Sequence, residues 1–341
     1  MSAIHKMYRA IRVAAPGPPS VLELVSLPAA RALSDREVLI RVHAIGVNPV
    51  ETYIRSGKYA TATFPHTPGH DAAGVVEAVG VGVKRLRPGQ RVYTLRTVTG
   101  AYAEQTVAEE RFTFAVPDDL PFVAAAAVPT PFHTAYRALF QRLHVRPGKT
   151  LLVHGATGGV GVAALQLAKA HGLRIIATSG SPAGDALVSR WCNVTVRHGT
   201  RQTKESILAA TDGRGPDFIL EMLGNANLQL DLEVVARGGS ICVVGSRDDT
   251  VVTPRLLMAK EATVTGVMLP LSSDDDVTEQ AAAIAAGLAA GTLVPHVGRV
   301  FDGLASAPEA HVDVIEHAAG AQGKIVIAVA PAAAEAADTA S

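Results

Sequence analysis

The sequence predicts an α/β protein in which a β-rich domain is joined to a doubly wound parallel sheet. Two observations predict this fold class. Residues 1–125 read as short, apolar and β-branched strands separated by glycine and proline, without a long helical period between them. Beyond residue 150, short apolar strands alternate with stretches of helical length, which is typical of a parallel sheet covered by helices on both faces.

Length and composition narrow the class of protein. The chain has 341 residues, which favours two domains, and its 31 Lys and Arg residues balance its 31 Asp and Glu residues. Zero net charge and an aromatic content of 4% argue against a nucleic-acid binder and a polybasic membrane anchor. The two cysteines, Cys192 and Cys242, are too few for a disulfide framework and favour a reducing compartment. The start of the chain has no signal-peptide pattern, so we expect a cytoplasmic protein.

The elements of the first domain follow from local patterns. Strands are predicted at residues 38–44, 73–79 and 90–93, the last after the turn Arg87-Pro88-Gly89. Alanine-rich helical sequence then runs over residues 123–140, with interruptions at Pro129 and Pro131.

The second domain shows regular alternation. Strands are predicted at residues 151–154, 174–178, 194–197, 217–222 and 240–244, and helices at 159–171, 183–190, 202–210 and 228–236. The pattern becomes mixed after residue 266, where we predict a helix at 276–290 and a last strand at 324–329. The alanine-rich tail 331–341 has no apolar period and is expected to be disordered.

The strongest motif is the glycine-rich segment Leu151–Gly161, which reads LLVHGATGGVG. It has the G-x-G-x-x-G spacing of a dinucleotide-binding turn, with Ala156 in the first place, then Gly158 and Gly161. Gly158 would let the backbone approach a pyrophosphate, and Gly161 would let the helix pack close to the strand. Because a predicted strand precedes the motif and a predicted helix follows it, we interpret it as a phosphate loop rather than a structural turn.

The end of the next predicted strand bears on the choice of cofactor. An acid there would bind a free 2′-hydroxyl, but residues 178–181 read TSGS. Arg197 and His198 end the third predicted strand, where they would supply charge to a 2′-phosphate or simply face solvent. We therefore favour NADP(H) over NAD(H).

Three separated motifs resemble one known family. Residues 46–57, GVNPVETYIRSG, resemble the N-terminal signature of zeta-crystallin-like quinone oxidoreductases, in the zinc-free branch of the medium-chain dehydrogenase/reductase superfamily. Residues 153–161 resemble that family's cofactor loop, and residues 243–247 with 258–261 resemble its later cofactor segment. The resemblance spans about residues 7–329. The chain departs from the family in its tail and in the pair Trp191-Cys192, where Gly-Ala is usual.

The resemblance implies a fold, a cofactor and a set of site residues. We expect a GroES-like catalytic domain in two pieces, residues 1–125 and 266–330, around a Rossmann domain at 126–265. NADPH/NADP⁺ is the implied cofactor, and a quinone or conjugated carbonyl is the implied substrate. A homodimer or homotetramer that pairs Rossmann edge strands is also implied. Asn48 and Tyr53 match residues beside the nicotinamide, and Thr134 is a candidate for the wall of the substrate slot. The other positions that match the family at the cofactor are Thr157, Gly158, Gly159, Val160, Gly180, His198, Asn227, Val244, Gly245, Ser246, Met268, Leu269 and Pro270. Ser179 and Arg197 are expected there from the ends of the predicted strands.

A catalytic metal is not expected. Zinc alcohol dehydrogenases of the same superfamily carry a cysteine where this chain has Asn48, and a Gly-His-Glu motif that Gly69-His70-Asp71 resembles. Neither cysteine of this chain lies in the catalytic region, so a tetrahedral Cys/His site cannot assemble there.

Without zinc, the expected chemistry depends on positioning an electron-poor carbonyl against the nicotinamide. Tyr53 would either donate a hydrogen bond to the acceptor oxygen or only pack on the nicotinamide, and Asn48 would orient Tyr53 or the cofactor. An NADPH-dependent enone or alkenal reductase stays open as an alternative, as does a non-enzymatic crystallin-like or RNA-binding protein. The sequence also leaves open the physiological substrate, the choice of dimer or tetramer, and whether electrons move singly or as hydride.

Overall fold

The computed structural model describes residues 7–29, 31–59, 62–317, 320 and 322–329. The predicted disordered tail lies outside these residues. The strands are β1 (Met7–Arg12), β2 (Glu23–Pro28), β3 (Glu37–Val47), β4 (Asp71–Val79), β5 (Arg91–Thr94), β6 (Gln105–Glu109), β7 (Thr113–Ala115), β8 (Thr150–Val153), β9 (Arg174–Ser179), β10 (Val194–Arg197), β11 (Phe218–Glu221), β12 (Ser240–Val243), β13 (Thr263–Gly266), β14 (Val297–Asp302) and β15 (Lys324–Ala328). The helices are α1 (Pro49–Arg55), α2 (Phe122–Ala125), α3 (Pro129–Tyr136), α4 (Gly159–Ala170), α5 (Pro182–Val188), α6 (Thr203–Ala209), α7 (Gly224–Val234), α8 (Pro254–Lys260), α9 (Asp274–Ala289) and α10 (Ala307–Glu316).

The chain forms two compact units. Of the described residues, 7–130, 295–317 and 324–329 belong to the first unit, and 131–294, 320, 322 and 323 belong to the second. These boundaries differ from the predicted ones at 125 and 266. Residues 266–294 belong with the second unit because hydrogen bonds hold them there: Arg142 donates to Gly266 O, Arg137 donates to Asp276, and Gln280 contacts His133.

The first unit is built on a mixed sheet with strand order β14-β15-β3-β4-β5-β7, in which β6 also pairs with β3. The long strand β3 pairs antiparallel with β15, β4 and β6, so it forms the centre of the unit. Its register brings Gly46 opposite Asp71, the first residue of β4. The sheet therefore places the residue that follows β3, Asn48, beside the start of β4.

The second unit is built on a six-stranded sheet with strand order β10-β9-β8-β11-β12-β13. All of its pairings are parallel. Counted from β8, the order is 3-2-1-4-5-6, which is the Rossmann arrangement. The predicted doubly wound sheet is therefore confirmed. Every residue of β8 is buried, as expected for a central strand that helices cover on both faces.

Two helical regions differ from what hydrophobic periodicity predicts. The predicted helical stretch 123–140 consists of α2, α3 and a π-helical turn at Arg137–Arg142. Pro129 and Pro131 lie in the first turn of α3, where a missing N–H costs nothing. Helix α1 was not predicted because seven residues are too few for a periodic pattern. Within the described ranges, no helix has the length and apolar character needed to cross a bilayer.

Candidate active site

Helix α1 carries Tyr53 and begins at a polar signal. Asn48 is its N-cap with extended backbone, Pro49 occupies the first helical position, and Glu51 occupies the third. The backbone N–H of Asn48 donates to Glu51 Oε2 at 3.1 Å, which satisfies one donor of the capping box. Asn48 is only 3% exposed, so its amide group lies inside the first unit.

A buried cation binds the amide of Asn48. Lys324, the first residue of β15, donates from Nζ to Asn48 Oδ1, and to Asp71 Oδ2 at 3.2 Å. Asn48 Nδ2 in turn lies within hydrogen-bond distance of Asp71 Oδ2 (3.0 Å) and Glu51 Oε1 (3.2 Å). Its carbonyl and its amide group are therefore both engaged, and the side chain of Asn48 ties α1 to β4 and β15.

Glu51 ends a directed chain of hydrogen bonds. The guanidinium of Arg55 lies 3.3 Å from His311 Nδ1, and a guanidinium can only donate, so Nδ1 is the unprotonated acceptor. His311 Nε2 then carries the proton and donates to the Tyr102 hydroxyl at 3.1 Å. That hydroxyl donates to Glu51 Oε2 at 2.7 Å. Burial lowers the pKa of His311 to about 4, in agreement with a neutral ring.

Opposite charges balance within this network. Burial alone would raise the pKa of Glu51, but the hydrogen bond and charge of His70 outweigh it and lower that pKa to about 2. Burial would likewise lower the pKa of His70, and Glu51 raises it above its ordinary value. Burial raises the pKa of Asp71, which Lys324 opposes. The network thus sets the buried acids Glu51 and Asp71 beside His70 and Lys324, each of which favours the charged form of its acidic neighbour.

The residues predicted to be catalytic, Tyr53, Asn48 and Thr134, belong to different units. Tyr53 is half-buried on α1, where its ring lies 5.3 Å from that of Tyr59 and 5.9 Å from Lys58 Nζ. The first unit therefore brings Tyr53 and Asn48 together on one helix. Thr134 lies in α3 of the second unit and is 7% exposed.

The predicted phosphate loop joins β8 to α4. Gly155 N donates to Thr178 Oγ1 at the end of β9, and Gly158 is the extended N-cap of α4. The first N–H groups of a helix lack partners within it, so α4 presents donors at Gly159 and Val160. A Cβ on Gly161 would stand 2.4 Å from Gly155 O, whereas a Cβ on Gly158 would have no atom nearer than 3.6 Å.

The ends of β9 and β10 form a basic pair beside a glycine. Arg197 pairs with Ser179 across the two strands, and a Cβ on Gly180 would stand 2.7 Å from His198 Nε2. Arg197 Nη2 binds the Asp185 carboxylate, and Arg197 Nη1 is buried with no hydrogen-bond partner in the described part of the chain. Ser179 is 1% exposed and its hydroxyl donates to Ser181 O, so its side chain faces the interior.

The later predicted segments meet at the ends of β11 and β12. Asn227 Nδ2 donates to Glu221 Oε1 at 3.1 Å, and Gly224 N donates to Gly245 O at 2.8 Å. Ser246 Oγ accepts from Asn225 N at 3.1 Å, while Val244 N donates to Glu221 O at 2.8 Å. Residues 268–270 follow β13, and Met268 is 54% exposed.

Comparisons with known proteins decide the family. Residues 34–118 match the alcohol dehydrogenase GroES-like domain, and residues 159–286 match the zinc-binding dehydrogenase family. The quinone oxidoreductase of Homo sapiens is 42% identical over 329 residues, which cover 96% of this chain and 99% of that protein. The chain belongs to the quinone oxidoreductase family. The quinone oxidoreductase of Pseudomonas aeruginosa is 34% identical over 283 residues, 82% of this chain and 86% of that one.

Solved structures agree with this quinone oxidoreductase assignment. Escherichia coli quinone oxidoreductase complexed with NADPH matches with a TM-score of 0.84 and 26% identity, covering 94% of this chain and 99% of that chain. Mycobacterial Rv1454c complexed with NADPH matches with a TM-score of 0.86 and 29% identity, again covering 94% and 99%. The family and fold that the sequence motifs implied are thereby confirmed.

Sequence reasoning missed the partners of the predicted residues in this quinone oxidoreductase. Lys324, Glu51, Tyr102 and His311 were not singled out, and Asp71 was noted only as part of a motif. One signal was available, because Lys324 opens the apolar strand KIVIA and a charge at that position calls for a partner. The partner itself could not be identified, since Asn48 lies 276 residues away along the chain.

Proposed function

We propose that this protein reduces quinones with NADPH. The single observation that carries the proposal is the space at Gly158. A Cβ there would meet no protein atom closer than 3.6 Å, so packing does not require a glycine. A bare backbone at the N-terminus of α4 instead suits a pyrophosphate that must approach closely. The quinone oxidoreductase relatives and the NADPH complexes of two similar structures support the same function.

The residues of this chain have three proposed roles: binding NADPH, orienting Tyr53 and polarising the acceptor oxygen of the substrate. NADPH, when bound, supplies a hydride from its nicotinamide ring. The N–H groups at Gly159 and Val160 would hold the pyrophosphate, and Arg197 with His198 would hold the 2′-phosphate. Tyr53 donates a hydrogen bond to the acceptor oxygen as negative charge develops on it. Asn48, fixed by Lys324 and Glu51, holds the start of the helix that carries Tyr53.

We further propose that no metal takes part in the reaction. In the first unit the oxygen atoms beside the zinc-ligand position are already bound by an ammonium, since Lys324 contacts both Asn48 and Asp71. Both cysteines of the chain, Cys192 and Cys242, belong to the second unit, so the first unit lacks thiolate ligands. The donor set therefore does not fit a catalytic zinc.

A substrate panel tests the proposed function. NADPH oxidation would be followed at 340 nm with ortho-quinones, para-quinones, enones and alkenals, and the products would be identified by mass spectrometry. We expect quinones to be reduced at their oxygens and enones to react poorly. Efficient conversion of an enone to its saturated ketone, with no turnover of quinones, would contradict the proposal and support the alkenal reductase alternative.

We also propose a cytoplasmic homo-oligomer that forms through β13. This strand ends the six-stranded sheet, and exposed apolar side chains lie in it, Val264 (38%), and before and after it in the sequence, Met258 (77%), Met268 (54%) and Leu271 (74%). The two cysteines are unpaired, as a reducing compartment requires. Val264→Lys should shift the mass found by light scattering toward the monomer, and cell fractionation tests the compartment. An unchanged mass would exclude this edge as the interface.

A further inference from the structure

Three titratable side chains are buried together at the edge of the Rossmann sheet, and we call them the His154 cluster: His154, Glu221 and Asp231. His154 directly follows β8 and precedes the phosphate loop, Glu221 ends β11, and Asp231 lies in α7. The parallel pairing of β8 with β11 brings their carboxyl ends to the same edge. The side chains of His154, Glu221 and Asp231 are 2%, 0% and 0% exposed.

The cluster is joined to a predicted cofactor segment. His154 Nε2 lies 3.0 Å from Asp231 Oδ1 and 3.9 Å from Glu221 Oε2. Glu221 uses its other oxygen, Oε1, to accept from Leu223 N and, at 3.1 Å, from Asn227 Nδ2. Within the described ranges, Glu221 Oε2 and both Asp231 oxygens have no hydrogen bond of good geometry. One imidazole is thus the neighbour of two fully buried carboxyl groups.

Burial and charge determine which of these groups holds a proton. Burial alone would lower the pKa of His154, but Asp231 and Glu221 outweigh it and raise that pKa. Burial raises the pKa of Glu221, and the charge of Asp231 adds to the rise against the opposing effect of His154. His198 also faces the cluster. Its pKa is lowered by burial and by the charges of His154 and Arg197. The two carboxyl groups thus favour the protonated ring of His154, and burial beside Asp231 favours the protonated form of Glu221.

We propose that the His154 cluster positions the phosphate loop and the segment 223–227, and that NADPH affinity falls when the cluster loses a proton. The inference rests on the proposed cofactor function. Loss of the Glu221 proton leaves a buried negative charge behind the loop that holds the pyrophosphate. A unit charge about 10 Å from another, at an effective dielectric constant of about 20–40, changes affinity by about tenfold.

The test is the dissociation constant of NADPH and of NADH between pH 6.5 and 9.0, measured by nicotinamide fluorescence. The second pKa of a phosphate ester is about 6, so the 2′-phosphate is already mostly dianionic at pH 6.5 and gains little charge over this range. Both cofactors share the pyrophosphate, and we expect both dissociation constants to rise about tenfold. A rise for NADPH alone would assign the effect to His198 at the 2′-phosphate and overturn the proposal.

Glu221→Gln is the matched variant. Glutamine keeps the side-chain volume and an oxygen that accepts from Leu223 and Asn227, but it has no proton to lose in this range. We expect the pH dependence of both dissociation constants to flatten. A variant that keeps the wild-type slope would show that Glu221 acts only through packing, and the proposal would fail.

A second measurement needs no variant. Since linkage is reciprocal, saturating NADPH should raise the pKa of the cluster in the wild type by about one unit, the equivalent of tenfold tighter binding to the protonated form. NMR of the His154 ring and the Glu221 carboxyl carbon would detect this, and an unshifted titration would overturn the proposal. So would a stoichiometric metal whose removal by chelator abolishes the pH slope, since the cluster would then be a metal site. Failure to bind NADPH even at pH 6.5 would instead contradict the proposed function.

Discussion

Gly158→Ala separates the cofactor role of the phosphate loop from its role in the fold. The backbone of Gly158, with φ −77° and ψ 172°, is a conformation that alanine adopts readily. Its methyl group would lie 3.6 Å from the nearest protein atom, so we expect the free energy of unfolding to change by less than about 0.5 kcal/mol. The same methyl would keep the pyrophosphate from the α4 N–H groups. Losing one charge-assisted hydrogen bond costs about 1.5–3 kcal/mol, so the Kd for NADPH should rise about tenfold to a hundredfold.

Gly161→Ala is the control for this prediction. Its methyl would stand 2.4 Å from Gly155 O and 2.6 Å from Ala156 Cα, which should destabilise the fold by about 1–3 kcal/mol. Fluorescence titration with NADPH gives the Kd, and thermal melting followed by circular dichroism gives the stability. Gly158→Val should show the loss of binding more strongly. If folded Gly158→Ala bound NADPH as the wild type does, the loop would not be the phosphate cradle.

Four further predictions test the rest of the site. Tyr53→Phe should leave the Kd for NADPH unchanged and slow quinone reduction about tenfold. This is less than the roughly 10²–10³-fold typical of a lost oxyanion donor, because a quinone is already electron-poor. An unchanged rate in stopped-flow measurements would show that Tyr53 only packs against its neighbours. Wild-type kcat/KM should favour NADPH over NADH by at least about tenfold. Ser181→Asp keeps the N-cap acceptor of α5 that binds Gly184 N, at a less buried position than Ser179, and should erode that preference; an unmoved ratio would mean that the 2′-phosphate binds elsewhere. Treatment with a chelator should leave the rate of quinone reduction unchanged, and elemental analysis should show well under one zinc per chain. Stoichiometric zinc whose removal abolishes activity would contradict the proposal that no metal takes part. Lys324→Met leaves Asp71 buried without its cation and should cost about 3–5 kcal/mol in urea denaturation at pH 7, and wild-type stability in this variant would show that the pair contributes little.

Patterns local in the chain were sufficient to predict five of the six strands of the Rossmann sheet, β8 to β12, but not β13. Its central strands, β8, β9 and β11, are largely apolar, and the predicted phosphate loop lies within one strand-turn-helix unit, so local pattern and spacing indicate both. Residues 46–57 likewise indicated the family. The same local reasoning placed Ser179 at the cofactor, and the structure turns its side chain inward, because a strand end indicates a position in the sheet but not the direction of a hydroxyl.

Only the tertiary structure decided which charges are partners. Lys324 meets Asn48 and Asp71 across 276 and 253 residues of sequence, because the antiparallel pairing of β15 and β4 with β3 brings all three to one place. The His154 cluster arises in the same way, from parallel strands whose carboxyl ends coincide and a helix that follows one of them. A sequence can indicate that a buried charge needs a partner, but the identity of that partner depends on strand register. Strand register is fixed only when the whole sheet has formed.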